Sequence, residues 1–410
     1  MAEMKQKLKV VWICHFDNEE IRKAMHVKRV VPEFANWIPD TAKALAESED
    51  VELHLVAPYY YISSGKSFKL GKIYYHFFNA GMPFVNKSWR PIFKRDGITD
   101  FFLSKLAVRR IVNRIKPDVI HLQGAENPYY SVTILQFLGI YPVVVNLQRM
   151  DLEFSCGEGK LAERRQEIEK GILTKFRHFS VRTRKMKEDF LSFNPKGITH
   201  WVSYALPQVQ PIASEKIYDL VFFARLHPHK GIEDLIHALA KVKEAVPTAT
   251  LLVIGTSSQA YKQELLELSS KLGVADSITW RSKIPTKDEL HKEVSKARVS
   301  VLPTYFDVIP GTIVESMQLG IPVVSYKAGS IPELNDQFES VLLVEIGDVD
   351  GMVAHIIKLL TDEDKYREMA EKGAQCVRNW FADESVIRQH LECYRSTIED
   401  FNTSSKSRRS

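Results

Sequence analysis

Short, uninterrupted apolar runs alternate along the chain with stretches whose apolar residues recur every three or four positions. Lys9–Cys14, Val51–Ala57, Asp118–Leu122 and Tyr141–Leu147 have the length of buried strands. Asp40–Glu47 and Thr99–Lys116 read as helices between them. The second half repeats the rhythm. Tyr218–Ala224, Ala249–Ile254, Ser277–Trp280, Arg298–Leu302 and Pro322–Ser325 are strand-length, and Gly231–Val246 places Ile232, Leu235, Ile236, Leu239 and Val242 on one helical face. Alternating strand and helix predicts parallel sheets covered by helices on both faces, which explains why the strands are apolar throughout.

At 410 residues the chain is long for one such sheet, and two Rossmann-like sheets fit better. The expected division is 1–205, 206–375, a helix at 376–401 packing back on the first domain with Trp380 and Phe381 as anchors, and a frayed tail at 402–410. Pro207 and Pro211 mark the break between domains. Composition is ordinary for a globular protein, with 45% hydrophobic and 26% charged residues. The four cysteines have neither disulfide-scaffold nor zinc-ribbon spacing. No apolar run is long enough to span a membrane or to form a signal peptide, so a cytoplasmic protein is expected.

The net charge of +5 hides an asymmetry. Residues 1–210 hold 32 Lys and Arg against 22 Asp and Glu, and residues 211–410 hold 24 against 29. Thr99–Lys116 concentrates the basic excess. It sets Phe102, Leu106, Ile111, Val112 and Ile115 among Lys105, Arg109, Arg110, Arg114 and Lys116. Two readings stand: a helix on its own sheet with a solvated basic face, or one in peripheral contact with an anionic membrane. The aromatic runs Tyr59–Tyr61 and Tyr74–Phe78 read as strand and core, or as stacking surfaces for sugar or lipid.

Ligands of open parallel sheets bind beyond the carboxyl ends of the strands. There the second half carries Arg225 and Lys230 before a helix, cations beside free backbone N–H groups that suit an anion. After the strand ending at Leu302 come Asp307, Pro310, Gly311, Thr312 and Glu315. Thr312 and Glu315 have capping-box spacing, which competes with a ligand role for Glu315. Asp348 and Asp350 look like a metal-binding pair but precede a helical pattern, so an N-cap is the better reading.

Together these residues resemble glycosyltransferase family 4. The resemblance lies in Arg225, Lys230–Gly231, the Asp307/Glu315 pair, Gly320–Val323 and Gly329–Glu333, and covers most of 215–365. It implies the GT-B fold, two doubly wound domains facing a cleft. It also implies retaining, metal-independent transfer of a sugar from a nucleotide diphosphate sugar to a hydroxyl of a glycan or lipid-linked glycan, in polysaccharide or glycoconjugate synthesis. Arg225 and Lys230 would hold the diphosphate, Glu315 the ribose and Asp307 the donor sugar. Backbone near Pro310, Gly311 and Thr312 would meet phosphate. Gly255, Lys283 and Ile284 complete the implied donor side.

Several positions depart from the family pattern. Asp307 replaces a Glu, the first loop (His15–Glu20) has no Gly-Gly, and Gln123 stands where many relatives have a second His. His15, His121, Gln123 and Glu126 are therefore candidates for the acceptor or donor-sugar side, with a core histidine as the other reading of His121 and of His15. A catalytically silent sugar-nucleotide- or membrane-binding partner is the alternative function. Nucleic acid is not an expected partner.

Overall fold

A computed structural model describes residues 7–27, 37–59, 62, 64–79, 99–148, 160–206, 209 and 212–407. Pro207, Pro211, Tyr60, Tyr61 and Cys156 lie outside them. The chain divides into two compact units, Met1–Leu206 with Phe381–Ser410, and Pro207–Trp380.

The first unit is built on β1 (Leu8–Ile13), β2 (Val51–Tyr59), β3 (Lys66–Leu70), β4 (Ile73–Asn79), β5 (Val119–Gln123), β6 (Val143–Asn146), β7 (His178–Val181) and β8 (Ile198–Trp201). Among the described residues the sheet order is β3-β4-β2-β1-β5-β6-β7-β8. Neighbours are parallel except in the hairpin β3–β4. Val10, Val11, Trp12 and Ile13 are wholly buried at its centre. The aromatic run Tyr74–Phe78 lies in β4, with Tyr75, Phe77 and Phe78 buried, so the strand-and-core reading holds there.

The second unit contains β9 (Tyr218–Phe223), β10 (Leu251–Ile254), β11 (Ile278–Arg281), β12 (Ala297–Leu302), β13 (Val323–Tyr326) and β14 (Leu342–Val344). Their order is β11-β10-β9-β12-β13-β14, all parallel. In each sheet the order reverses beside the first strand, between β1 and β5 and between β9 and β12. Loops part to either side at these points and leave room for a ligand. Both units have the Rossmann-like architecture expected.

The C-terminal segment departs from the expected boundaries. Helix Glu363–Trp380 stays wholly with the second unit: Met369, Cys376 and Val377 are buried, and Gly373 lies against Met317. The chain changes unit at Phe381, whose buried ring packs on Tyr204. Helix Asp383–Ser407 then runs through most of the segment expected to fray. No Gly or Pro interrupts it, and Thr403 bonds back to Glu399 O. Asp348 caps helix Val349–Thr361 by accepting from Gly351 N, as an N-cap does.

Helix Asp383–Ser407 is tied to the first sheet by buried polar bonds. Trp12 Nε1, which can only donate, is 2.8 Å from Tyr394 Oη. The tyrosine proton is therefore directed to His121 Nδ1, 2.9 Å away, a site approached also by Gln123 Nε2 at 3.2 Å. His121 must then carry its proton on Nε2, facing Ser180 Oγ at 3.2 Å. Ser180 donates to Asn146 Oδ1, and Asn146 Nδ2 donates to Gln123 Oε1, which closes a ring. Burial, helped by the neighbouring His390 and His200, holds the His121 pKa well below the usual histidine value, consistent with this neutral tautomer.

Tyr394→Phe leaves the buried Trp12 N–H unpaired. The expected cost is about 1–3 kcal/mol, seen as a lower denaturation midpoint for the first unit. An unchanged midpoint would show that the ring adds nothing to stability.

Candidate functional site

At the reversal of the second sheet, the loop after β9 passes Arg225 and a 3-10 turn (Pro228–Lys230), then enters helix Ile232–Ala245 through Gly231. Gly231 has φ +70°, and a Cβ there would collide with Pro303 O. The loops after β9 and β12 are thus pressed together, with Tyr305 N donating to His229 O at 2.8 Å. Gly329, at φ +53°, does the same for the loop after β13: a Cβ would strike Asp307 O. Gly255 sets the β10 exit against Ala224 O. The hydroxyls of Tyr305 and Tyr326 each donate to Asp234 Oδ2 at 2.6 Å, so one carboxylate joins the loop after β12, the end of β13 and the helix after β9. That bond, with burial, pushes the Tyr305 pKa up to about 12.

This frame brings Lys230 and Asp307 together, with Nζ 2.5 Å from Oδ2. Thr304 Oγ1 lies 2.8 Å from the same oxygen. The two residues assigned by resemblance to phosphate and to sugar are therefore partners in this structure. An incoming phosphate would compete with Asp307 for the ammonium. Arg225 is exposed, makes no ion pair among the described residues, and lines a cleft of about 410 Å³ with His227, Thr256, Ser257, Ser258 and Tyr261.

Helix Gly311–Gln318 has Pro310 as its N-cap and no side-chain cap. The capping-box reading of Thr312 and Glu315 is therefore overturned, because the helix starts two residues too early for Glu315 to reach back to its cap. The uncapped N–H groups and the open space beside Gly311 suit an anion. Glu315 is instead 3.8 Å from His291 Nε2, a buried nitrogen with no hydrogen-bond partner among the described residues. His291 carries no motif or spacing that marks it in the sequence. Lys283 is exposed, whereas Ile284 packs against the hydrophobic core, so only its backbone is left for a base. Lys262 lies over the Trp280 ring at 2.9 Å, and burial lowers its pKa to about 8.

In the first unit the acceptor-side candidates separate. His121 and Gln123 are each 1% exposed and occupied in the buried ring, so the core reading holds for His121 and a direct ligand role for Gln123 is corrected. His15 follows β1, and burial lowers its pKa. The loop without Gly-Gly is fixed by Asp17, which accepts from Tyr59 and Arg22. Glu126 lies past β5 with its carboxylate folded over Gly124.

These features define two units of Rossmann-like architecture, the second with its loops drawn together at the reversal of its sheet. Residues 207–375 match the family model described as glycosyl transferases group 1. The chain is 26% identical over 187 residues to N-acetyl-alpha-D-glucosaminyl L-malate synthase of Bacillus anthracis, covering 46% of this chain and 47% of that protein. The chain thus matches about half the length of that relative. Among solved structures, sucrose-phosphate synthase from Thermosynechococcus elongatus superposes with a TM-score of 0.69 at 17% identity, covering 96% of this chain and 100% of that one. HepE of Anabaena in complex with UDP gives 0.67 at 16%, covering 95% and 100%. The GT-B fold class is therefore the one observed.

Gly231→Ala forces a positive φ and a collision with Pro303 O. It is expected to cost about 1–3 kcal/mol and to lower the thermal midpoint of the second unit. An unshifted midpoint would show that the loops after β9 and β12 can separate freely.

Proposed function

We propose that the chain is a glycosyltransferase that moves a sugar from a nucleotide diphosphate sugar to an acceptor hydroxyl, without a metal and with retention at the anomeric carbon. The observation that carries this reading is the convergence of Arg225, Lys230, the uncapped helix Gly311–Gln318 and Glu315 at the β9/β12 reversal. The match of 207–375 to group 1 glycosyl transferases supports it, as does UDP bound to the structurally similar HepE. Retention rests on the family resemblance.

In the reaction the bond from the anomeric carbon to the diphosphate oxygen breaks, and its electrons stay with the diphosphate. The acceptor oxygen bonds to that carbon, and its proton leaves with the diphosphate. Arg225, the helix N–H groups and Lys230, once released from Asp307, stabilise the growing negative charge. Asp307 is then free to meet a sugar hydroxyl, and Glu315 accepts from the ribose diol. The acceptor is a glycan or lipid-linked glycan.

A thermal-shift panel of UDP-, GDP- and ADP-sugars should single out one nucleotide. Arg225→Ala should lower transfer from that donor by about 10²–10³-fold with little change in melting temperature. Transfer unchanged by Arg225→Ala would overturn the assignment. Donor binding without transfer or hydrolysis would favour the silent-partner reading, to which the existing Lys230–Asp307 pair lends support.

A peripheral membrane contact belongs to the same proposal. In helix Phe102–Ile115 the buried face is Ser104, Val108, Val112 and Ile115, so the apolar face expected from the sequence is corrected in part. Phe102 projects at 61% exposure, with Leu103, Leu138 and Ile140 also exposed, and Gln136 Nε2 bonds Lys105 O where the two segments meet. Arg109, Arg110, Arg114 and Lys116 are exposed. Among the described residues no helix is long and apolar enough to cross a membrane. Sedimentation with phosphatidylserine vesicles should carry the protein down, and Arg109→Gln with Arg110→Gln and Arg114→Gln should leave it in the supernatant. Wild-type protein remaining in the supernatant would overturn the contact.

A further inference from the structure

Arg182 has no place in the functions assigned so far. It follows β7 directly, at the carboxyl edge of the first sheet, where ligands of such sheets bind. Its guanidinium carbon is 5.5 Å from the Trp37 ring centre and 5.4 Å from that of Tyr204, so it is held by two aromatic rings. Those rings in turn are 6.3 Å apart, and Tyr204 is backed by Phe381.

The guanidinium is held but its donors are scarcely used. Of its five N–H groups, one reaches a described acceptor, Gln148 O at 3.4 Å, a long bond. Nε is sealed from solvent and has no hydrogen-bond partner among the described residues. No ion pair joins Arg182 to a carboxylate among the described residues, although Glu126 is near enough to act through its charge. Burial disfavours the charged form, yet an arginine keeps its proton at any ordinary pH. A partly buried cation with unused donors is well placed to take an anion, and the planar fork matches the oxygens of a carboxylate or phosphate.

We propose that Arg182, clamped between Trp37 and Tyr204, binds an anionic group of the acceptor, a carboxylate or a phosphate. This rests on the reading of the chain as a glycosyltransferase and names the chemistry of its second substrate. The acceptor is then a hydroxyl compound that also carries an oxyanion. Glu126 stands on the same edge of the sheet, past β5, where it would meet the hydroxylated part of such a molecule. Gln148, past β6, lies between the two strands that carry them.

The test uses the full chain with Arg225→Ala and Lys230→Ala, which remove the cationic side chains of the anion site in the second unit. Inorganic phosphate and malonate are titrated at constant ionic strength and followed by calorimetry. Binding of at least one of them is expected, weakened about tenfold or more, a loss of ~1.4 kcal/mol, by Arg182→Gln and partly restored by Arg182→Lys. Near-ultraviolet circular dichroism confirms that each variant is folded. If phosphate binds better the acceptor group is a phosphate, and if malonate does it is a carboxylate. Equal anion affinity with and without Arg182→Gln, or no anion binding at all, would overturn the proposal and leave the glycosyltransferase reading intact. Failure of every nucleotide sugar to bind the wild-type chain would overturn that reading instead.

Discussion

The first unit depends on one constraint: polar side chains inside a parallel sheet must satisfy one another. His121, Gln123, Asn146 and Ser180 stand on three adjacent strands and are almost wholly buried. With water excluded, each lost bond would leave a desolvated donor or acceptor. The proton positions are not arbitrary either, because Trp12 can only donate and so fixes the direction of every bond that follows. Tyr394 is the one member outside the sheet, which makes the last helix part of the sheet's own hydrogen bonding.

The second unit meets a different constraint. Its loops are drawn together where glycines remove the side chain that would keep two backbones apart. Gly231, Gly255 and Gly329 each face a carbonyl oxygen of another loop. The outcome is a frame in which cation, carboxylate and open helix start are set by backbone contact, and hardly by the functional side chains themselves.

Most of the fold was legible because buried parallel strands are apolar on both faces, and such runs are hard to mistake. β3, β7, β8 and β14 escaped notice for physical reasons: β3 is an exposed polar edge, His178 and Ser180 interrupt β7, Thr199 and His200 interrupt β8, and β14 is too short for a pattern. The donor-side residues were legible as loop residues after strands. Their pairing was not, since Lys230 and Asp307 are 77 residues apart and meet only through Gly231 and the β12 loop. His291 and Arg182 were invisible for the same reason. Each matters because of what packs around it, and neither has a neighbour in sequence that signals it. Gln123 misled in the opposite direction, since a polar residue at a strand end looks like a ligand contact until its partners are seen.

The return of the chain to its first unit also sets an order of assembly. His121 and Tyr394 are 273 residues apart, so the loop that their bond closes is most of the protein. During synthesis the second unit has all of its strands before Tyr394 exists. Until then the first sheet holds an unanswered tryptophan N–H and an uncovered face, which a folding chain exposes to its surroundings. The hydrogen bonds of Trp12 and His121 to Tyr394 therefore form only once the last helix has been made.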